Sequence, residues 1–252
     1  MSVTETITKT VVSVGTAILE ETHPELTIFA TAFQSIGEGV ISSILGNEGT
    51  NRVDQTFQET LEKIKDNLDK GKTPRNDDVW SSKKESPQKA KIILEGVLLK
   101  VRDEYEAKKR LYYPNFSGNM CFFEHIPYER LNALLKVLDL LSYRQLQILS
   151  YVKRNGEIIT NMWDARIKNI EQAYKYYDVF FEVMDLYNKS LLRQIMQGIT
   201  MGIGDKLCLS PMGEDLVNLL ELDMMPTEEI ESLAGEIDAI NLIIQRNEQK
   251  ML

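Results

Sequence analysis

The sequence predicts a mainly α-helical protein in which an N-terminal helical hairpin precedes a multi-helix body with one small β-hairpin. Apolar residues recur every three or four positions through most of the chain, which is the period of a helix with one buried face. A leucine-rich stretch over residues 128–152 is long enough to form a buried helical spine. Around residues 198–209 this period gives way to glycines and a short apolar alternation, which is typical of a hairpin.

The first predicted helix spans residues 26–46. This stretch holds a single formal charge, Glu38, and so meets the simple length-and-charge criterion for a membrane-spanning helix. Its apolar residues nevertheless gather on one side and its polar residues on the other, which favours an amphipathic helix packed on the protein's own core. Contact with a membrane through residues 26–46 is the less favoured alternative.

The second predicted helix has a clear apolar stripe and should pair with the first as a helical hairpin. Asn51 is its predicted N-cap, because a short polar side chain there can accept a hydrogen bond from the first turn. The stripe consists of Val53, Phe57, Leu61, Ile64 and Leu68.

A polar stretch with proline and glycine breakers follows and predicts a linker. The predicted organisation is therefore an N-terminal helical segment at residues 1–70, a linker at 71–86 and a main helical domain at 87–252. The first helix of the main domain is predicted to start at Ser86 and Pro87, which are typical of a helix N-cap and first turn.

The helix after Pro87 is expected to be long. Its apolar positions, which include Tyr105, should face the core, whereas charged residues such as Glu104 and Lys109 should form exposed ion pairs. Pro114 should stop or kink this helix. The aromatic bend that follows, residues 112–123, should either fill the core or form a pocket.

The C-terminal half combines a helix, a hairpin and two further helices. The helix over residues 162–194 carries an aromatic stripe that should pack inside, although such rings can also stack on ligands. A helix that leads into a glycine-containing hairpin is how a winged-helix module is built, and Ser210 with Pro211 should start the next helix. The stripe consists of Tyr174, Tyr177, Phe180, Phe181, Met184 and Tyr187.

The last helix has the most regular pattern in the chain, an apolar three-four-three-four rhythm beside a strongly acidic face. Docking on the body is the favoured interpretation, and binding of a partner or of a second copy is the alternative. The seam consists of Ile230, Leu233, Ile237, Ile240 and Ile244.

Composition and motifs exclude several functional classes. The net charge of -9 argues against a general phosphate-binding surface, because nucleic-acid affinity comes largely from Lys and Arg. Two cysteines and the absence of a signal-peptide pattern predict a cytoplasmic protein. No metal, cofactor-binding or catalytic residues are predicted, because no zinc, di-iron, nucleophile-elbow or nucleotide-loop spacing is found.

Part of the chain, roughly residues 86–232, resembles other proteins in three sequence runs. These runs are EGVLLKVRDEYEAKKRLYYPNF, LSYRQL and LCLSPMGEDLVNLLELDMMPTEE. The proteins they resemble are a group of helical proteins from bacteria and their phages that has no established activity. The resemblance implies a shared fold and a bacterial or phage source. It also implies a link to anti-phage defence, since such proteins are sometimes encoded beside defence genes.

The favoured hypothesis is a non-enzymatic interaction or regulatory protein. Its expected surfaces are the apolar seam of the last helix, through which it would bind a protein partner or itself, and the aromatic bend. A membrane-acting effector that inserts residues 26–46 is one alternative, and an enzyme whose site the sequence does not show is another. The residues expected at the bend surface are Tyr112, Tyr113 and Phe116.

Overall fold

The chain forms two compact units, and the described part of each is mainly helical. The computed structural model describes residues 47–79, 88–160, 170–195 and 205–249. The units are Met1–Leu140 and Leu141–Leu252, so the predicted linker at 71–86 falls inside the first. The predicted mainly α-helical fold with one small hairpin is confirmed. The predicted helix at 26–46 and the Ser86–Pro87 helix start lie outside the described residues.

The described part of the first unit contains five helices. They are α1 (Asn47–Asp69), α2 (Gln88–Asp103), α3 (Ala107–Arg110), α4 (Tyr113–Asn119) and α5 (Tyr128–Leu140). α1 packs on α2 and α4, and α2 also packs on α5. The predicted apolar stripe of α1 is buried throughout, from Val53 to Leu68. The prediction that Asn51 is an N-cap is wrong, since α1 already includes the preceding turn.

Arg75 holds the start of the predicted linker against the first unit. Its guanidinium is buried and donates to the carbonyls of Met120 at 3.1 Å and Ile126 at 3.0 Å. Asp77 accepts from the same guanidinium at 3.0 Å, so the buried charge is paired. These contacts fix residues 71–79 on the body although their composition is that of a flexible connection.

The helix after residue 87 is shorter than predicted, and this changes which side chains face inward. α2 ends at Asp103 and α3 begins at Ala107, so the helical phase is lost between them. Tyr105 is 84% exposed instead of facing the core, while Glu104 and Lys109 are buried instead of exposed. These three predictions are therefore wrong. Pro114 lies in the first turn of α4, where it starts a helix and does not stop one.

The second unit adds a small antiparallel sheet to its helices. The elements are α6 (Tyr143–Asn155), β1 (Ile158–Thr160), α7 (Ile170–Asn188), β2 (Leu192–Gln194), β3 (Asp205–Leu209), α8 (Pro211–Leu220), a 3₁₀ turn (Leu222–Met224) and α9 (Thr227–Gln249). The strands lie in the order β1–β3–β2, with Ile158 opposite Leu207 and Leu192 opposite Leu209. The predicted hairpin is formed by β2 and β3, but β2 lies within residues 162–194, which were predicted to be helical, because α7 ends at Asn188. β1 was not predicted.

Two helix starts in this unit are fixed by serine caps. Ser142 begins α6 with a reciprocal capping box to Gln145, and Ser210 begins α8 by accepting from Gly213 N at 3.0 Å. The predicted Ser210–Pro211 start is thereby confirmed. The spine predicted over residues 128–152 is interrupted, because α5 ends at Leu140, which is 69% exposed.

Candidate functional site

The predicted interaction residues are mostly buried. On the bend, Tyr112, Tyr113 and Phe116 fill the core of the first unit together with Met120. Core filling was one of the two interpretations of this segment. These rings contribute packing to the first unit and cannot form a partner surface while it stays folded.

The apolar seam of the last helix is likewise turned inward where its side chains are described. Ile230, Leu233 and Ile237 are buried in the second unit, where α9 packs on α6 and α7. Ile240 and Ile244 belong to α9, but their side chains lie outside the described residues. An interaction hypothesis for the folded protein therefore has to rest on residues other than the buried Ile230, Leu233 and Ile237.

The first unit contains a buried polar cluster around Glu104, in the connection between α2 and α3. The Glu104 carboxylate accepts from Lys109 Nζ at 2.6 Å and from the backbone N–H of Glu106 at 2.9 Å. Lys109 also donates to the backbone oxygen of Asp139 at 3.0 Å. A buried ion pair of this kind favours one arrangement of the chain over others, because separating Glu104 from Lys109 would leave a buried charge without a partner.

Tyr113 extends this polar cluster. Its hydroxyl is buried and has no hydrogen-bond partner among the described residues. Burial raises the pKa of the Tyr113 phenol, and the nearby carboxylates of Glu104 and Asp139 raise it further. The phenol is therefore neutral at physiological pH, and nothing in this geometry activates it as a nucleophile or base.

A groove with several cationic side chains lies beside this cluster. It has a volume of about 270 Å³ and runs between α1 and α3. We call it the cationic groove. Its lining includes Arg52, Thr56 and Glu59 of α1, and Lys108, Arg110 and Leu111 at α3.

α7 presents aromatic side chains to solvent. Tyr177 is 59% and Phe181 is 74% exposed, and their four-residue spacing places them on one face. We call this the α7 aromatic face. Val179, Val183 and Leu186 on the opposite face are buried in the unit. The expectation that the aromatic stripe packs inside is therefore wrong for these two residues.

The sequence of α7 contains a second apolar stripe, which indicates that the aromatic stripe need not be the buried one. Val179, Val183 and Leu186 are themselves spaced by four and three residues, so the helix has two apolar stripes. A surface helix can bury only one stripe against its body. Here the aliphatic stripe is buried and the aromatic one is left outside.

Arg144 anchors α7 within the second unit. Its guanidinium pairs with Glu182 of α7 and with Glu236 of α9, each at 2.7 Å. Burial raises the pKa of Glu182, and the Arg144 guanidinium partly offsets this effect. Gln145 adds a hydrogen bond to Asp185 at 2.7 Å. α7 is thus held by apolar and ionic contacts on the faces beside its aromatic one.

The described residues offer neither a metal site nor a membrane-spanning helix. No group of three His, Cys, Asp or Glu side chains among them is placed to hold a metal ion. None of their helices combines the length and apolar character needed to cross a bilayer.

Comparison with protein families, with curated proteins and with solved structures found no match for this chain.

The two cysteines should differ sharply in reactivity. Cys121 is buried and lies 3.5 Å from the Ser117 carbonyl oxygen, and burial raises the pKa of its thiol to about 12. Because the thiolate is the reactive form, we expect iodoacetamide at pH 8 to modify the half-buried Cys208 well before Cys121. Peptide mass spectrometry would follow both sites. Equal modification rates in the folded protein would contradict the burial of Cys121.

Proposed function

We propose that the protein is a non-enzymatic interaction or regulatory module that binds a protein partner through the α7 aromatic face. The observation that carries the proposal is the exposure of Tyr177 and Phe181 side by side on an anchored helix. Large exposed aromatic side chains that cluster on one face are characteristic of protein-binding surfaces. A surface fixed in place by the rest of its unit also loses little conformational entropy on binding.

Charge around the α7 aromatic face supports a partner with basic residues. Asp178 is exposed beside Tyr177, whereas Glu182 and Asp185 are already paired with Arg144 and Lys189. An apolar pocket edged by Lys or Arg would complement the two rings and the Asp178 carboxylate. The Asp178 carboxylate would repel DNA or RNA, since affinity for nucleic acid depends on neutralising phosphates.

The topology of the second unit adds to this argument. The elements run α6–β1–α7–β2–β3 with the sheet order β1–β3–β2, which agrees with a winged-helix arrangement. In that arrangement α7 would be the helix that DNA-binding members place in the major groove. Here the helix carries aromatic and acidic residues, which supports recognition of protein instead of DNA.

The resemblance to bacterial and phage proteins supports a bacterial or phage source and carries no activity that could be transferred to this chain. A link to anti-phage defence is part of this proposal. The alternative of a membrane-acting effector depends on residues 26–46, which lie outside the described part of the chain. The α7 aromatic face therefore gives the hypothesis with the most direct structural support.

Photo-crosslinking from the α7 aromatic face tests the proposal. With a photoreactive amino acid in place of Phe181, produced in cells of the native source, we expect one discrete adduct with another protein, identified by mass spectrometry. The same amino acid in place of Glu231, which is exposed on α9, is the matched control and should not give this adduct. Identical adducts from both positions, or none from position 181, would contradict the proposal.

The identified partner then permits a quantitative test. Purified partner should bind the native chain, and Phe181→Ser should weaken binding at least about tenfold, because exposed aromatic anchors often dominate an interface. The melting temperature of Phe181→Ser should change little, since the ring is mostly exposed. An adduct that contains only two copies of this chain would replace the proposed partner by self-association.

A further inference from the structure

One guanidinium joins three helices of the second unit. Arg144 of α6 pairs through Nε with Glu182 of α7 and through Nη2 with Glu236 of α9, each at 2.7 Å. All three side chains are half-buried, so solvent screens these pairs less than it would on an open surface. Two carboxylates from different helices therefore depend on the position of the same cation.

α9 packs on both of the other helices in this junction, α6 and α7. Its docking on α6 includes a hydrogen bond from the Tyr151 hydroxyl to the Asp238 carboxylate at 3.3 Å. The Glu236 pair is different in kind, because it ends on the guanidinium that also holds α7. A displacement of α9 would therefore reach α7 through Arg144.

The attachment point on α7 lies beside the α7 aromatic face. Successive residues of a helix are about 100° apart, so Glu182 lies about 100° around α7 from Phe181 and about 140° from Tyr177. Because Glu182 and the two rings belong to one helix, a rotation of α7 that separates Glu182 from Arg144 also turns the rings. The orientation of the aromatic face is thus tied to this ion pair.

The two ion pairs should stabilise each other. Ordering the long Arg144 side chain costs conformational entropy, and the two pairs share this cost. Burial raises the pKa of Glu182, the Arg144 guanidinium opposes this rise, and repulsion by Glu236 adds to it by a smaller amount. The attraction to the shared cation therefore outweighs the repulsion between the carboxylates, and loss of one pair should weaken the other.

We propose that Arg144 is a positioning residue that couples docking of α9 to the α7 aromatic face, so that α9 regulates binding of the protein partner there. The inference rests on the proposed function, because the regulated surface is the same face. With α9 docked, Arg144 is ordered and holds Glu182. When α9 is displaced, the guanidinium loses one of its two partners and α7 is held less firmly, without any change at the rings themselves.

Amide hydrogen exchange of the full chain tests the coupling without any partner. Glu236→Gln removes the α9 half of the junction and should accelerate exchange in α7 peptides over residues 177–188 by about three- to fivefold, the size expected of a partly solvated ion pair. Peptides of α8 should be unchanged. Equal acceleration in α7 and α8 would show a general loss of stability and would overturn the inference. Glu231→Gln, at an exposed glutamate of α9, is the matched control and should exchange as the native chain does.

A double-mutant cycle shows whether the effect passes through Arg144. In the Arg144→Gln background, Glu236→Gln should cause no further acceleration in α7, because the shared cation is already absent. Arg144→Lys, which keeps the charge but loses the two donors of the guanidinium edge, serves the same purpose if Arg144→Gln folds poorly. An effect of Glu236→Gln that is as large in these backgrounds as in the native chain would overturn the role of Arg144.

Photo-crosslinking from position 181 tests the regulation itself. Glu236→Gln should lower the yield of the discrete partner adduct about three- to fivefold, whereas Glu231→Gln should leave it unchanged. An unchanged yield in Glu236→Gln would overturn regulation by α9. Absence of the adduct from the chain that carries the native Glu236 would instead contradict the proposed function, and the exchange data would still decide the coupling.

Discussion

Gly213→Ala should destabilise the second unit by about 3 kcal/mol, near the upper end of the usual effect of overpacking. A Cβ atom at Gly213 would lie 2.0 Å from the carbonyl oxygen of Leu191. That oxygen already accepts from Ser210 N at 3.0 Å, and Ser210 in turn caps α8 through Gly213 N. Because the obstacle is backbone and not a flexible side chain, the methyl group can be accommodated only if α8 moves and its cap is disturbed.

Amide hydrogen exchange measured by peptide over residues 141–252, together with urea unfolding, would localise this loss to the second unit. Gly235→Ala is the matched control. Gly235 lies in α9, and a Cβ atom there would meet no described atom within 4 Å. Alanine at this helical position should stabilise by about 0.5–1 kcal/mol. If Gly213→Ala exchanged as slowly as the native chain, the close approach of α8 to Leu191 would be wrong.

Lys109→Met should destabilise the first unit by about 3–5 kcal/mol, the usual effect of removing one partner of a buried ion pair. The substitution keeps the length and apolar stem of the side chain but removes the ammonium group 2.6 Å from Glu104. Glu104 is 7% exposed and would remain as a buried carboxylate without its cation. Urea unfolding followed by iodoacetamide labelling of Cys121 reports on this unit specifically.

The matched control for Lys109→Met is Lys100→Met. Lys100 pairs with Asp139 at 2.6 Å, but both side chains are partly exposed, at 41% and 32%. Its removal should therefore change stability by less than about 1 kcal/mol. Equal effects of the two substitutions would contradict the distinction between a buried and a solvated pair.

A double variant shows where the Lys109→Met loss comes from. Glu104→Gln in the Lys109→Met background should recover much of the lost stability, because the amide oxygen can still accept from Glu106 N while no buried charge is left without a partner. A double variant that is no more stable than Lys109→Met alone would contradict this cause.

Much of the fold could be predicted because it depends on local periodicity. The α1 stripe from Val53 to Leu68, the strand β3 of the hairpin and the Ser210 start of α8 all follow from spacing or from capping chemistry within a few residues. β1 was missed and β2 was assigned to the preceding helix, because three residues contain too little alternation to indicate a strand. Both strands depend on pairing with β3.

The functional surfaces were harder to predict because burial of a side chain depends on which face of its helix is covered. The pattern of α7 contains both an aliphatic and an aromatic stripe, and only packing determined that Val183 is buried and Phe181 exposed. The cationic groove depends on Arg52 and Arg110 reaching one carbonyl from separate helices. No local spacing in the sequence predicts that Arg52 and Arg110 lie close together.

The sequence by itself therefore determined the helical class, the hairpin and the apolar stripes of the helices, because each follows from the conformation of neighbouring residues. The tertiary structure alone decided that Glu104 and Lys109 are buried together, that the predicted interaction residues of α9 face inward where they are described, and that Tyr177 and Phe181 face outward. The physical reason is that burial is a property of contacts between distant segments, whereas a periodic pattern specifies only which residues share a face.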